Sequence, residues 1–117
     1  MIQALENLGV VDADLVRPEH IAAALTAGSF TYDDGATQTF EPAGGTTYVQ
    51  HQQLSRGEWY VDGKGHFCSF WPPAYRACYE LHWMLENGRV VGLKFTELDR
   101  GSIFVGRYRT PFAQSGR

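Results

Sequence analysis

From Ser29 onward the chain is punctuated by turn-forming clusters spaced roughly 8–15 residues apart, and this rhythm constrains the fold more than any other feature. The clusters are Asp33-Asp34-Gly35, Pro42-Ala43-Gly44-Gly45, Asp62-Gly63-Lys64-Gly65, Pro72-Pro73, Glu86-Asn87-Gly88 and Asp99-Arg100-Gly101. Gly and Asn supply the positive φ that tight turns require, and Pro presets the turn backbone. The runs between them are short and rich in Thr, Tyr, Phe, Trp and Val, which suit a half-buried pleated surface. We count about eight such strands: 29–33, 36–41, 46–52, 57–61, 66–71, 77–85, 89–97 and 102–109. The expectation is a mainly β protein, an antiparallel meander closing on itself as a barrel or sandwich.

The beginning of the chain reads differently. Pro18 suits the first position of a helix and Glu19 the positive end of its dipole. The Ala-rich run His20 to Ala27 follows, Ile21 and Leu25 share one face, and Gly28 is a helix stop. At 117 residues the chain holds one domain: a helical N-terminal segment over 1–28, a β-barrel over 29–109 and a flexible tail over 110–117. A net charge of -3 without a basic stripe excludes a nucleic-acid surface. No apolar run reaches the roughly 20 residues of a membrane-spanning helix. Glu6, Asp12 and Asp14, with no basic residues ahead of them, do not read as a signal peptide. The expected location is periplasmic or secreted if a leader is missing from the sequence, and otherwise cytoplasmic.

Turn chemistry also suggests a register. Asn87-Gly88 is the strongest two-residue hairpin signal, pairing Glu86 with Arg89, Met84 with Val91, His82 with Leu93 and Glu80 with Phe95. One face then carries Cys78, Glu80, His82, Met84, Val91, Leu93 and Phe95, and continues through Phe104 and Tyr108. The other carries Tyr79, Leu81, Trp83, Leu85, Val90, Lys94 and Thr96. We take the first as the interior because it runs consistently through three strands. The apolar strip Tyr79, Leu81, Trp83 and Leu85 would then face outward and need a cover, either the N-terminal helix or a second copy in a homodimer. A turn on Gly63-Lys64 pairs Val61 with His66 and Trp59 with Cys68, placing Trp59, Val61, His66, Cys68 and Phe70 on one face. If Cys68 and Cys78 are cross-strand neighbours, His66 falls opposite Glu80.

Several chemistries compete for that face. His66, Cys68, Cys78 and His82 form a Cys2His2 set, but Cys78 and His82 would lie roughly 13 Å apart along a strand, too far to share one ion. No metal and no cofactor is therefore expected. There is no C-x-x-C and no Gly-framed nucleophilic serine. The His66–Glu80 pair suits a general base, although two polar groups satisfying one another is the simpler account, and we assign no catalytic residue. The two cysteines read as a disulfide in an oxidising compartment or as buried thiols in a reducing one. An eight-stranded barrel can also hold one small ligand among aromatic walls with a few polar groups.

The order of motifs carries a resemblance. A helix precedes Gly28–Gly35 (G-S-F-x-Y-x-D-G), then comes the G-x-W-x-V-D-G-x-G-x-F-C segment of residues 57–68, then Cys78, then the Asn87-Gly88 hairpin. Over residues 20–109 this resembles a family of small, uncharacterised, usually exported proteobacterial proteins with a lipocalin-like barrel. The resemblance implies a calycin-type barrel with an N-terminal helix, a disulfide and a periplasmic setting, and brings no activity. The resulting expectation is non-catalytic binding of a small apolar or amphipathic ligand by Trp59, His66, Phe70, Glu80, His82, Phe95, Phe104 and Tyr108. The alternatives are an interaction module with a plain core, and an enzyme using His66 and Glu80.

Overall fold

A computed structural model describes residues 9–109. The expected flexible tail, and the first residues of the expected helical segment, lie outside that range. Among the described residues one helix, α1 (Pro18–Thr26), precedes eight strands: β1 (Phe30–Tyr32), β2 (Thr37–Phe40), β3 (Gly45–Gln50), β4 (Gln53–Val61), β5 (Phe67–Trp71), β6 (Tyr75–Glu86), β7 (Arg89–Glu97) and β8 (Ile103–Tyr108). Each strand pairs antiparallel with the next, and β8 returns to β1, so the sheet is a closed barrel. The mainly β, eight-stranded reading of the sequence holds.

Pro18 opens α1, and Ile21, Ala24 and Leu25 bury one face of it. That face plugs one end of the barrel, where it joins Phe30, Trp59, Leu81, Trp83, Leu93 and Tyr108 in a continuous core. The Tyr108 hydroxyl donates to the carbonyl of Ala24, tying the plug to β8.

Over residues 9–17, ahead of α1, the chain is not helical. Residues 12–16 run beside the half of β6 that β5 does not reach, with a Leu15–His82 bridge. Val16 N–H donates to Leu81 O at 2.8 Å, Trp83 N–H to Asp14 O at 2.8 Å and Ala13 N–H to Trp83 O at 2.9 Å. An otherwise free strand edge is thereby paired.

The Asn87-Gly88 hairpin forms with the expected Glu86–Arg89 pair, both turn residues having positive φ. Two residues later the register departs from expectation. Leu85 faces Val90 but Met84 faces Gly92, so Val91 has no partner on β6. This one-residue bulge turns over the face of β7 relative to β6. The observed pairs are Trp83–Leu93, Leu81–Phe95 and Tyr79–Glu97. Leu81 and Trp83 are 1% exposed and belong to the core, so the strip expected to face outward beneath the N-terminal helix or a second copy points inward. Cys78, Glu80, His82 and Met84 occupy the outer face instead.

A second correction lies at the 62–66 turn. Asp62 Oδ1 accepts from the N–H groups of Lys64 and His66, closing a turn one residue longer than the expected Gly63-Lys64 hairpin. Val61 consequently pairs with Phe67 and Trp59 with Ser69, not Cys68. A third is the β3–β4 hairpin. It turns on His51 and Gln52, both at positive φ, so β4 starts at Gln53 rather than 57.

Candidate functional site

Beyond the α1 plug, the other end of the barrel is open and hollow. A cavity of about 590 Å³ is bounded by the inner faces of the strands. Phe40, Phe67 and Phe95 form its floor: each lines the cavity and is also part of the buried core below. Tyr32, Tyr48, Trp71, Tyr79 and Phe104 make the walls, and Tyr75 stands with them. The alternation of strand side chains puts these rings inside: Phe67, Ser69 and Trp71 from β5 face Tyr79, Ala77 and Tyr75 from β6.

The rings brace one another. Phe67 stacks on Tyr79 with centroids 5.3 Å apart. Phe95 meets Phe67, Tyr32 and Tyr79 edge to face at 5.9, 5.9 and 6.3 Å. Tyr48 bridges Tyr32 and Trp71, 6.2 Å from each. Such offset and perpendicular contacts are worth roughly 0.5–1.5 kcal/mol each beyond burial, so the wall is stiff. Small residues make room for it. At Gly106 a Cβ would stand 3.0 Å from Tyr32 and 3.2 Å from Phe30.

The polar side chains that line the cavity below its mouth are neutral, and behind the lining Glu97, 5% exposed, accepts from the Tyr75 hydroxyl at 3.2 Å. Tyr32 O–H donates to Gln38 Oε1 at 2.6 Å, Gln38 Nε2 donates to Thr46 Oγ1 at 2.9 Å, and Thr46 O–H donates to the Thr39 carbonyl at 2.9 Å. Ser69 and Ser55 add two hydroxyls to the lining. Burial holds the Tyr32 hydroxyl far above its ordinary titration range, and the nearby Tyr48 and Tyr79 push it further. Burial also raises Tyr79, to about 12, and raises Tyr48 beside Asp34. The charged members of the lining, Asp33, Asp34 and Arg56, are exposed residues at the mouth. Arg56 donates to Thr47 Oγ1 at 3.2 Å and lies 4.0 Å from the Glu41 carboxylate. Ile103 and Phe104 form an apolar lip, 57% and 46% exposed.

No family model, curated protein or solved structure matches this chain. The geometry of the cavity therefore carries the functional reading.

The residues singled out from the sequence fall into three places. Phe95 and Phe104 line the cavity. Trp59 and Tyr108 lie in the plugged end, where the Trp59 indole N–H donates to Glu41 O at 2.9 Å. His66, Phe70, Glu80 and His82 are outside the cavity. Phe70 lies under the Arg76 guanidinium at 4.6 Å, on the outer wall. His66 Nδ1 sits 3.7 Å from Asp62 Oδ2, so the imidazole has a carboxylate partner other than the expected Glu80. The bulge at Val91 accounts for the exchange on β6: it sets Tyr79 inside the barrel, where regular pairing expects Glu80 and His82.

Cys68 and Cys78 pair directly across β5 and β6 and form a disulfide, with Cα atoms 4.0 Å apart. The bond lies on the outer side of the wall, opposite to Phe67 and Ser69. Asp62 Oδ2 and both sulfurs lie within 4.8 Å of one another. With the sulfurs bonded to each other, neither is a thiolate, and the cluster lacks the donors of a zinc site.

The sequence reading missed Tyr32, Gln38, Tyr48, Ser69, Trp71 and Tyr79. A usable signal was present in the alternation Phe30-x-Tyr32, Gln38-x-Phe40, Thr46-x-Tyr48 and Phe67-x-Ser69-x-Trp71. These runs put aromatic and small polar residues on one face, as a wet aromatic cavity requires.

Proposed function

We propose that this chain is a non-catalytic binding protein that holds a small, partly apolar molecule inside its barrel. The observation that carries the reading is the hollow itself: rigid aromatic walls enclose about 590 Å³ at one end, while α1 closes the other. Ligand sites are typically concave, largely apolar and preformed, with a few placed polar groups. Among the described lining residues there is no histidine or cysteine, and the carboxylates stand at the mouth. A nucleophile–base pair of the kind acyl transfer needs is not assembled there.

An oxidising compartment, periplasmic or extracellular, is part of the proposal. It is supported by the Cys68–Cys78 disulfide and by the resemblance to exported barrel proteins. The interaction-module alternative loses its surface, since Leu81 and Trp83 are buried within the same chain and Tyr79 lines the cavity.

The test is dye uptake. Nile red should gain fluorescence with the wild-type protein, and Ser69→Trp, which places an indole where a buried hydroxyl lines the cavity, should bind it about ten-fold more weakly. Near-ultraviolet circular dichroism checks that the variant is folded. A wild-type protein that takes up no dye, or a folded variant that takes it up equally well, would overturn the reading.

A further inference from the structure

We infer that the ligand is an uncharged, flat aromatic molecule carrying a hydrogen-bond acceptor, which the hydroxyls of Tyr48 and Tyr79 engage inside the barrel. The inference rests on the binding reading above and deepens it. Three features of the cavity carry it.

The first is the shape of the wall chemistry. Nine aromatic rings line the hollow, whereas Ile103, Val105 and Pro72 are its aliphatic members. A pocket for a flexible alkyl chain gains from adaptable Leu, Ile and Met side chains. Fixed rings instead offer faces and edges to another ring, and such contacts depend on the partner having a π system.

The second is the state of the hydroxyls. The Tyr32 proton is already committed to Gln38, and Gln38 in turn to Thr46. Tyr48 and Tyr79 both lie near Tyr32, one on β3 and one on β6, and both line the hollow. Each remains a neutral phenol at ordinary pH, and Ser69, which hydrogen-bonds to the Tyr79 oxygen, leaves the phenol proton for an acceptor brought in by a ligand. A site that reads an oxygen through half-buried donors favours the ligand that carries it, because an analogue without it displaces water from the donors and leaves them unpaired.

The third is the placing of charge. The cationic member of the lining, Arg56, is an exposed side chain engaged with Thr47 and close to Glu41. Asp33 and Asp34 stand at the mouth, while Glu97, 5% exposed and outside the cavity lining, accepts from Tyr75 O–H at 3.2 Å; no described lining residue deeper than the mouth carries a charge. An anion would pass two like charges and lose its hydration with no counter-ion, and a cation would lose its hydration while the buried Glu97 carboxylate lies outside the lining and is already engaged by Tyr75.

The experiment uses four probes of nearly equal size, titrated into the full chain by calorimetry. They are 2-acetylnaphthalene, its hydrocarbon analogue 2-isopropenylnaphthalene, the anion 2-naphthoate and the cation 2-naphthylmethylammonium. The ketone should bind, with the two ions about ten-fold or more weaker. The Tyr48→Phe/Tyr79→Phe double variant should weaken ketone binding about five-fold or more while leaving the hydrocarbon unchanged. Phe retains the ring and its packing, so this variant keeps the wall intact, and the unchanged hydrocarbon affinity verifies it. An ion that binds as tightly as the ketone, or a ketone-to-hydrocarbon ratio that the double variant leaves unaltered, overturns the inference. If Nile red binds and none of the four naphthalenes does, this inference falls while the binding reading stands. If Nile red also fails, both fall.

Discussion

Gly57 lies on the inner face of β4, where a Cβ would stand 2.6 Å from the Phe70 carbonyl oxygen and 2.6 Å from a ring carbon of Trp71. The missing side chain is what lets the Trp71 indole lie against the wall. Since one of the two atoms is backbone, rotation of the indole alone cannot relieve the clash. Gly57→Ala should destabilise the fold by about 1–3 kcal/mol, read as a lower urea midpoint, with Trp71 fluorescence shifting as the ring moves. An unchanged midpoint would mean that β4 and β5 separate freely at this point. Trp83 poses a different problem. It is 1% exposed, and its indole N–H has no partner among the described residues. Trp83→Ala should cost about 3–5 kcal/mol, as for other large core aromatics, without changing the mass of the folded species on size exclusion. A stable variant of altered oligomeric mass would return Trp83 to an interface.

At the scale of elements, sequence signals were legible where one residue type forces one conformation. Asn87-Gly88 marked its hairpin, Pro18 marked the start of α1, and alternating runs marked the strands. Two local features were not legible. The bulge at Val91 reverses the inner face of β7 relative to β6, and Gly92, an isolated glycine within the strand run Arg89-Val90-Val91-Gly92-Leu93, marks an irregularity there without giving its register. The glycine itself has a tertiary reason: Gly92 approaches β8 so closely that a Cβ would lie 2.2 Å from the Gly106 carbonyl. The His51-Gln52 turn was hidden because neither residue favours the left-handed region both adopt, at φ 52° and 68°. Holding two such residues there costs about 1–2 kcal/mol each. The double variant His51→Asn/Gln52→Gly gives the turn the residue types that tolerate this backbone. It should raise stability by about 1 kcal/mol and lift the melting temperature. A fall in melting temperature would show that the His51 or Gln52 side chain holds something worth more than the strain. The disulfide belongs to this scale too. It joins neighbouring strands across a separation of 10 residues, and Cys68→Ser/Cys78→Ser should lose roughly 2–3 kcal/mol on the chain-entropy account, measured by urea unfolding. Because the bond is on the outer side of the wall, Nile red uptake by the folded double variant should persist.

The whole molecule ties its two ends together through buried phenols. Tyr32 sits at the cavity and Tyr108 at the α1 plug, and burial raises both well above the ordinary tyrosine range. Tyr79, more open, is pushed up to about 12. In the unfolded chain all three would lose their protons near the usual value of about 10. A folded-state value above the unfolded one means that the native state keeps protons the unfolded state has released. The associated stability is therefore complete below about pH 10 and declines as pH rises through the folded values. Tyr108, 6% exposed, should remove about 1.4 kcal/mol per pH unit above that point, and Tyr32, half-buried at the cavity, should remove less, so stability should fall steeply there. Urea midpoints at about pH 8, 10 and 11, with tyrosinate absorbance followed in parallel, provide the measurement. Ionisation of these tyrosines should coincide with loss of near-ultraviolet dichroism, because a phenolate is admitted only when the barrel opens. A reversible titration near pH 10 in a protein that stays folded would mean that water already reaches both rings. The hollow end would then be an open cleft, and the anion exclusion argued for the cavity would lose its basis.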